Sequence, residues 1–261
     1  MRRAVTVIGL LAAAGACIAA VGTPEAAPQT STAGPSYTLL EDADLVHNQL
    51  YAAGQVPAVP CHVPDRPLKT HSDIQLSADA MLGCLERAWT PVVERADASF
   101  SPTALYVVTV GAQTGCGEFD GGDDAFYCPD DSDIYLDWTQ HVEESPDDRP
   151  YESAYLLFVL AHEFGHHVQQ LVGIMADDDD SLERGRRLEL QASCLAAAFL
   201  GANQNTLDLH GDRLDGYEDA AYFGDHDHGS DKNNKLWSKA GFAAKSPSAC
   251  NTWAAPAKRV S

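Results

Sequence analysis

The sequence predicts an α+β domain in which a small sheet comes first and packed helices follow. Three observations carry this expectation. Leu105-Tyr106-Val107-Val108-Thr109-Val110 and Ile134-Tyr135-Leu136-Asp137 are short runs rich in β-branched, aromatic and aliphatic residues, the pattern of buried strands. The segment Ala154 to Ala161 is apolar without interruption and belongs to a longer helical stretch, so it reads as a helix buried on nearly all sides. Beyond it, apolar residues recur at helical spacing in three further segments.

Taken in order, residues 1–27 read as an export signal. Arg2 and Arg3 precede the apolar run Ala4 to Val21, which is too short and too alanine-rich for a membrane span. Cys17 follows Ala14, Gly15 and Ala16 and is a candidate for a lipid anchor; the missing larger aliphatic residue at position 14 favours simple cleavage. Residues 28–44, rich in Pro, Ala, Thr, Ser and Gly, read as a flexible tether, and residues 45–255 as one folded domain. Within that domain Met81, Leu82, Leu85, Trp89, Val92 and Val93 share one face of a helix expected over Ser77–Arg95, with a kink at Pro91. The strand Leu105–Val110 follows, then a Gly- and Asp-rich loop holding Cys116 and Cys128, then the strand Ile134–Asp137. Helices are expected over Glu152–Val172 and Leu182–Leu200, the first ended by Gly173 and a solvated run Asp177 to Asp180. Shorter helices over Asp212–Phe223 and Asp231–Phe242 close the domain.

Composition narrows the class of partner. With 38 acidic and 17 basic side chains the net charge is -21, which argues against nucleic acid or an anionic membrane surface. No segment after the export signal is apolar enough to span a bilayer. Setting Cys17 aside, six cysteines remain, an even number that suits disulfides in a secreted or cell-envelope protein. Local spacing favours Cys61 with Cys84 and Cys116 with Cys128, which leaves Cys194 with Cys250.

The chemistry concentrates in His162-Glu163-Phe164-Gly165-His166. Histidines at i and i+4 lie on one helical face and can bind one zinc ion, with Glu163 aimed beside it. A hydrolytic zinc needs a third protein ligand and one open position. Glu189 on the next predicted helix is the best candidate, with His226 and His228 as rivals. His167 points off the shared face and is expected to pack or cap rather than ligate. Gly165 inside the helix implies a close backbone approach. Asp225-His226-Asp227-His228 reads as a loop or helix cap more readily than as a second metal site.

His162 to Gln169, together with Arg187-Leu188-Glu189-Leu190-Gln191-Ala192-Ser193-Cys194, resembles the bacterial neutral zinc metallopeptidase family, whose second motif reads R-x-E-L-Q-A-D-C. Gly115-Cys116-Gly117, the stretch from Phe126 to Asp137, His228-Gly229-Ser230 and Cys250-Asn251-Thr252 fit the same pattern, so the likeness runs in order over residues 77 to 253. The resemblance implies a zincin-like fold containing the H-E-x-x-H helix, Zn2+ held by His162, His166 and Glu189, and Glu163 as the general base in hydrolysis of peptide or protein substrates. Ser193 departs from the family, which has aspartate there to orient a zinc-bound histidine. That departure leaves an alternative: an exported zinc-binding scaffold or interaction protein with weak or no turnover. His228 and Tyr222 are candidates for stabilising the oxyanion, with His226 and Tyr217 behind them. The strand Ile134 to Asp137 is expected at the sheet edge above the metal, where it could pair with an extended peptide.

Overall fold

Sheet precedes most of the helices in the computed structural model, which describes residues 42–142, 148–175 and 181–261. The export signal with Cys17, the tether up to residue 41 and the run Asp177 to Asp180 lie outside the described residues. Helix α1 (Asp42–Val46) covers the last residues read as tether, where Leu45 is buried in the core and the Asn251 carboxamide donates to the Val46 carbonyl.

Helix α2 (His71–Arg95) starts six residues earlier than expected. Thr70 caps it, its hydroxyl accepting the Asp73 amide, and Asp73 in turn pairs with Arg66 at 2.5 Å. Apolar periodicity missed the residues before Ser77 because their buried positions are Asp73 and Ile74, only one of them apolar. The helix is continuous through Pro91.

The main sheet holds strands β1 (Leu105–Val108), β4 (Ala125–Cys128) and β5 (Asp133–Asp137) in the order β1-β5-β4, with a small β2 (Gln113–Thr114) and β3 (Gly117–Glu118) hairpin apart. Strand β5 pairs parallel with β1, Leu105 opposite Ile134, and antiparallel with β4, Phe126 opposite Tyr135. Ile134 and Leu136 face the core while Tyr106, Tyr135, Phe126 and Phe119 stack along the opposite face at centroid distances of 5.4, 5.2 and 5.7 Å. This corrects two expectations. Strand β5 is central rather than an edge, and β4, hidden in the sequence by the Gly- and Asp-rich residues before it, forms one edge, with β1 at the other.

Helices α3 (Arg149–Leu171), α4 (Leu182–Ala202), α5 (Asp212–Tyr222) and α6 (Asp231–Ala244) follow within a few residues of their expected bounds. Helix α3 packs against α2, α4, α5 and β4, which is why the run Ala154 to Ala161 can be apolar all round. Among the described residues no helix is long and apolar enough to cross a membrane. Disulfides join Cys61 to Cys84, Cys116 to Cys128 and Cys194 to Cys250, the pairing expected from spacing and elimination.

Candidate metal centre

Helix α3 carries His162, Glu163 and His166 on a buried face, and α4 brings Glu189 to them. The two helices approach closely at Gly165, where an added Cβ would stand 2.9 Å from the Ala192 carbonyl oxygen and 3.0 Å from its Cα. Backbone contact at that point, one residue before His166 and three residues after Glu189, sets the spacing of the donors.

The donor atoms form a nearly equilateral triangle. Nε2 of His162 and Nε2 of His166 are 3.1 Å apart, and Glu189 Oε2 lies 3.0 Å from the first and 3.1 Å from the second. Among the described residues this is the group of histidine, cysteine and acidic side chains able to hold a metal ion.

The outward ring nitrogens have partners of their own. The carboxamide Nε2 of Gln169 donates to the Leu188 carbonyl at 2.8 Å and to Gln191 Oε1 at 3.0 Å, so its Oε1 is an acceptor, and the proton in its 2.9 Å contact belongs to His166 Nδ1. Gln191 continues the chain, donating to the Cys250 carbonyl and the Tyr51 hydroxyl. His162 Nδ1 meets Ser193 Oγ at 3.1 Å. With His166 protonated on Nδ1 and His162 in the same tautomer, two Nε2 lone pairs and a carboxylate converge in a buried space, where a metal ion, or a proton shared between His166 and Glu189, relieves their repulsion. Zinc ligands about 2.0–2.2 Å from the ion stand roughly 3.0–3.5 Å apart, and the N, N, O donor set is one zinc accepts; the three residues fit it.

Electrostatics follow the same geometry. Burial alone would raise Glu189, but His166 and His162 hold its carboxyl well below the usual range. Burial would lower His166, yet Glu189 and Glu163 push it up to about 9. Glu163 is raised above its ordinary value by burial, opposed by His162 and His166, and the Tyr127 amide of β4 reaches its carboxyl group.

A cavity of about 480 Å³ opens from His162, Glu163 and Ser193, walled by Asp123, Asp124, Tyr151, Tyr155, Phe158, Asp219 and His228 among others. His228 stands at its rim, its side chain 45% exposed, with Nε2 3.5 Å from Glu189 Oε2 and Nδ1 2.9 Å from both carboxylate oxygens of Asp225. The Asp227 and His228 amides bond to that same carboxylate, and a bridge from Asp225 to Gly229 closes the loop, so the Asp-His-Asp-His stretch is a loop as expected. His226 faces solvent with 75% of its side chain exposed, paired with Asp227. Tyr222 does not line the cavity; its hydroxyl bonds Glu218 and its ring lies beneath Lys235 and Lys239. Tyr217 is interior, stacked on Phe242 at 5.2 Å. His167 packs as expected, bonded to the Ser101 carbonyl and the Tyr127 hydroxyl.

Sequence reasoning did not assign Gln169, Gln191, Asp124 or Tyr155 a role. A signal existed for the first: Gln169 is polar and lies three residues beyond His166, one helical turn along the face that carries His162 and His166. For Asp124 and Tyr155, which bond to each other across the chain, no sequence pattern announces the contact.

Comparison with known proteins points the same way. Residues 63–253 match the family described as "putative neutral zinc metallopeptidase". Over 201 residues the chain is 28% identical to the uncharacterized protein YpfJ of Escherichia coli, covering 66% of this chain and 69% of that one. Over 94 residues it is 34% identical to the uncharacterized protein Rv2575 of Mycobacterium tuberculosis, covering 33% of this chain and 31% of that one. No solved structure matches.

Proposed function

We propose, from the premise that this chain belongs to the neutral zinc metallopeptidase family, that it is an exported zinc-dependent peptidase with Glu163 as general base. The convergence of His162, His166 and Glu189 beside a cavity that also exposes Glu163 carries this reading. Export rests on the basic and apolar N-terminus and on three disulfides, which persist in oxidising compartments.

His162 and His166 would hold the ion through Nε2, and Glu189 through a carboxylate oxygen. An ion held by these three residues would supply Lewis acidity, lowering the pKa of a bound water towards about 7 and polarising a carbonyl oxygen. Glu163 takes a proton at its carboxylate and returns it to the leaving amine; burial, which favours its neutral form, suits it to both halves of that transfer. His228 is the oxyanion candidate that this geometry favours, because Asp225 fixes Nδ1 and Nε2 stands 3.5 Å from Glu189 Oε2, beside the triad, on a residue that lines the cavity. Among the described residues β4 pairs only with β5, so its other edge is open to an extended peptide, and the Tyr127 amide ties that strand to Glu163. An extended-strand mode favours unfolded segments as substrates.

The scaffold reading loses ground to one observation: the Ser193 hydroxyl reaches His162 Nδ1 and can orient the ring as an aspartate would. Metal analysis and peptide hydrolysis test the proposal together. Wild type is expected to hold one zinc per chain, Glu189→Ala to lose it, and Glu163→Ala to keep it while hydrolysis drops about 10²- to 10⁴-fold. Full zinc occupancy in Glu189→Ala would falsify the ligand set, and equal hydrolysis by wild type and Glu163→Ala would leave only the scaffold.

A further inference from the structure

Acidic side chains outnumber basic ones in the lining of the cavity beside the metal triad, where His162 and His228 also stand. Asp123 and Asp124 approach from the segment leading into β4, Asp219 from α5 and Asp225 from the loop beyond, and among the described residues no lysine or arginine lines the cavity. Two of these carboxylates are already engaged: Asp124 accepts the Tyr155 hydroxyl and Asp225 holds His228. Asp123 and Asp219 make no ion pair with a lysine or arginine of the described residues. Asp123 is an exposed residue at the cavity, and partial desolvation raises its carboxyl above the ordinary range, with Asp120 and Asp124 adding to the effect against His228.

The rest of the lining suits a long apolar stem. Ala125, Phe158, Val159 and Ala220 give an aliphatic and aromatic wall, and the rings of Tyr151 and Tyr155 stack 6.3 Å apart at 13° near Asp219. Methylenes can lie along such a wall while an ammonium or guanidinium reaches carboxylates and ring faces. The acidic groups do not gather as a further metal site; among the described residues the His162, His166 and Glu189 set is the one that does.

We propose that this cavity is a specificity pocket for lysine or arginine, so that the substrates are extended peptides with a basic residue next to the scissile bond. The inference rests on the peptidase reading for the words "scissile bond" and on the cavity alone for the cation preference. Asp123 and Asp219 are its specificity-determining residues, one near the metal and one beside the tyrosine pair.

Binding to zinc-loaded Glu163→Gln separates recognition from turnover. The probes are fluorescent peptides of one Gly- and Ala-rich background carrying Lys, Leu or Glu at a central position. Lys is expected to bind about tenfold tighter than Leu, and Glu more weakly than either. Asp123→Asn with Asp219→Asn should cut the Lys advantage to about threefold or less while leaving Leu unchanged. Asp79→Asn with Glu94→Gln, exposed positions on α2, removes the same charge far from the cavity and should leave the ratio intact. Equal binding of Lys and Leu, or a ratio lowered as much by the α2 pair as by the cavity pair, overturns the proposal and assigns any attraction to the overall charge of -21. A Lys preference that obeys the cavity pair, alongside wild-type protein that hydrolyses none of the peptides, upholds the pocket and defeats the peptidase reading instead.

Discussion

His162 and His166 each lean on an uncharged group, the Ser193 hydroxyl and the Gln169 carboxamide. The Gln169 oxygen, an acceptor, fixes both the orientation and the tautomer of His166, while the Ser193 hydroxyl, able to donate or accept, orients the His162 ring; neither confers the basicity that a carboxylate would. Gln169 is the more constrained of the two, since its own amide protons are committed to Leu188 and Gln191 and both glutamines are fully buried. It cannot turn over without breaking three hydrogen bonds. Gln169→Leu is therefore expected to weaken zinc binding about 10- to 100-fold, and Ser193→Ala to do so at the lower end of that range, as read by competition with a chromophoric chelator. Ser193→Asp should tighten it. Unchanged affinity in Gln169→Leu would mean that packing alone orients His166.

At the scale of elements, the crossing of α3 over α4 decides whether the donors meet. Gly165→Ala would place a methyl group against the Ala192 backbone, which cannot swing aside as a flexible side chain can. Overpacking of this kind costs about 1–3 kcal/mol, set against the roughly 1 kcal/mol that alanine gains over glycine within a helix. Stability in urea should thus change little or fall modestly, whereas zinc affinity should fall clearly because the helices part at the residue before His166. An affinity equal to wild type would show that the crossing tolerates the methyl. The same crossing explains what could be read in advance. Long helices were legible because α3, α4 and α6 repeat a face every turn, and the His162, Glu163, His166 spacing is fixed within one of them. Strand β4 was not, because four residues after a Gly-Asp turn carry too little periodicity to stand out. Strand order lay further out of reach: β5 sits between β1 and β4 through pairings that no local pattern encodes. His228 could be named from the sequence as an oxyanion candidate beside Tyr222, but the Asp225 clamp that separates it from the others depends on the turn closing at Gly229.

Across the whole molecule, the excess of acidic groups makes pH a global variable, and a buried histidine offers a way to isolate one contribution. His141 is wholly buried at the end of the turn after β5, and burial lowers its pKa from about 6.5 despite the opposing pull of Asp124. Folded chains therefore keep it neutral at a pH where unfolded chains protonate it. Its contribution to stability is fully present above pH 6.5 and is lost as pH falls below that value, because the unfolded state then binds the extra proton. A single group of this kind gives a slope of at most about 1.4 kcal/mol per pH unit. Acidification also relieves repulsion among the carboxylates behind the net charge of -21, so the raw curve mixes two opposite trends. The difference between wild type and His141→Phe removes the shared part. Urea unfolding from pH 7.5 to 5 should show wild type losing stability relative to the variant, with the gap opening only below pH 6.5. Parallel curves would mean that His141 stays unprotonated in both states or gains a proton in both, and the solvent-excluded setting described for it would be wrong.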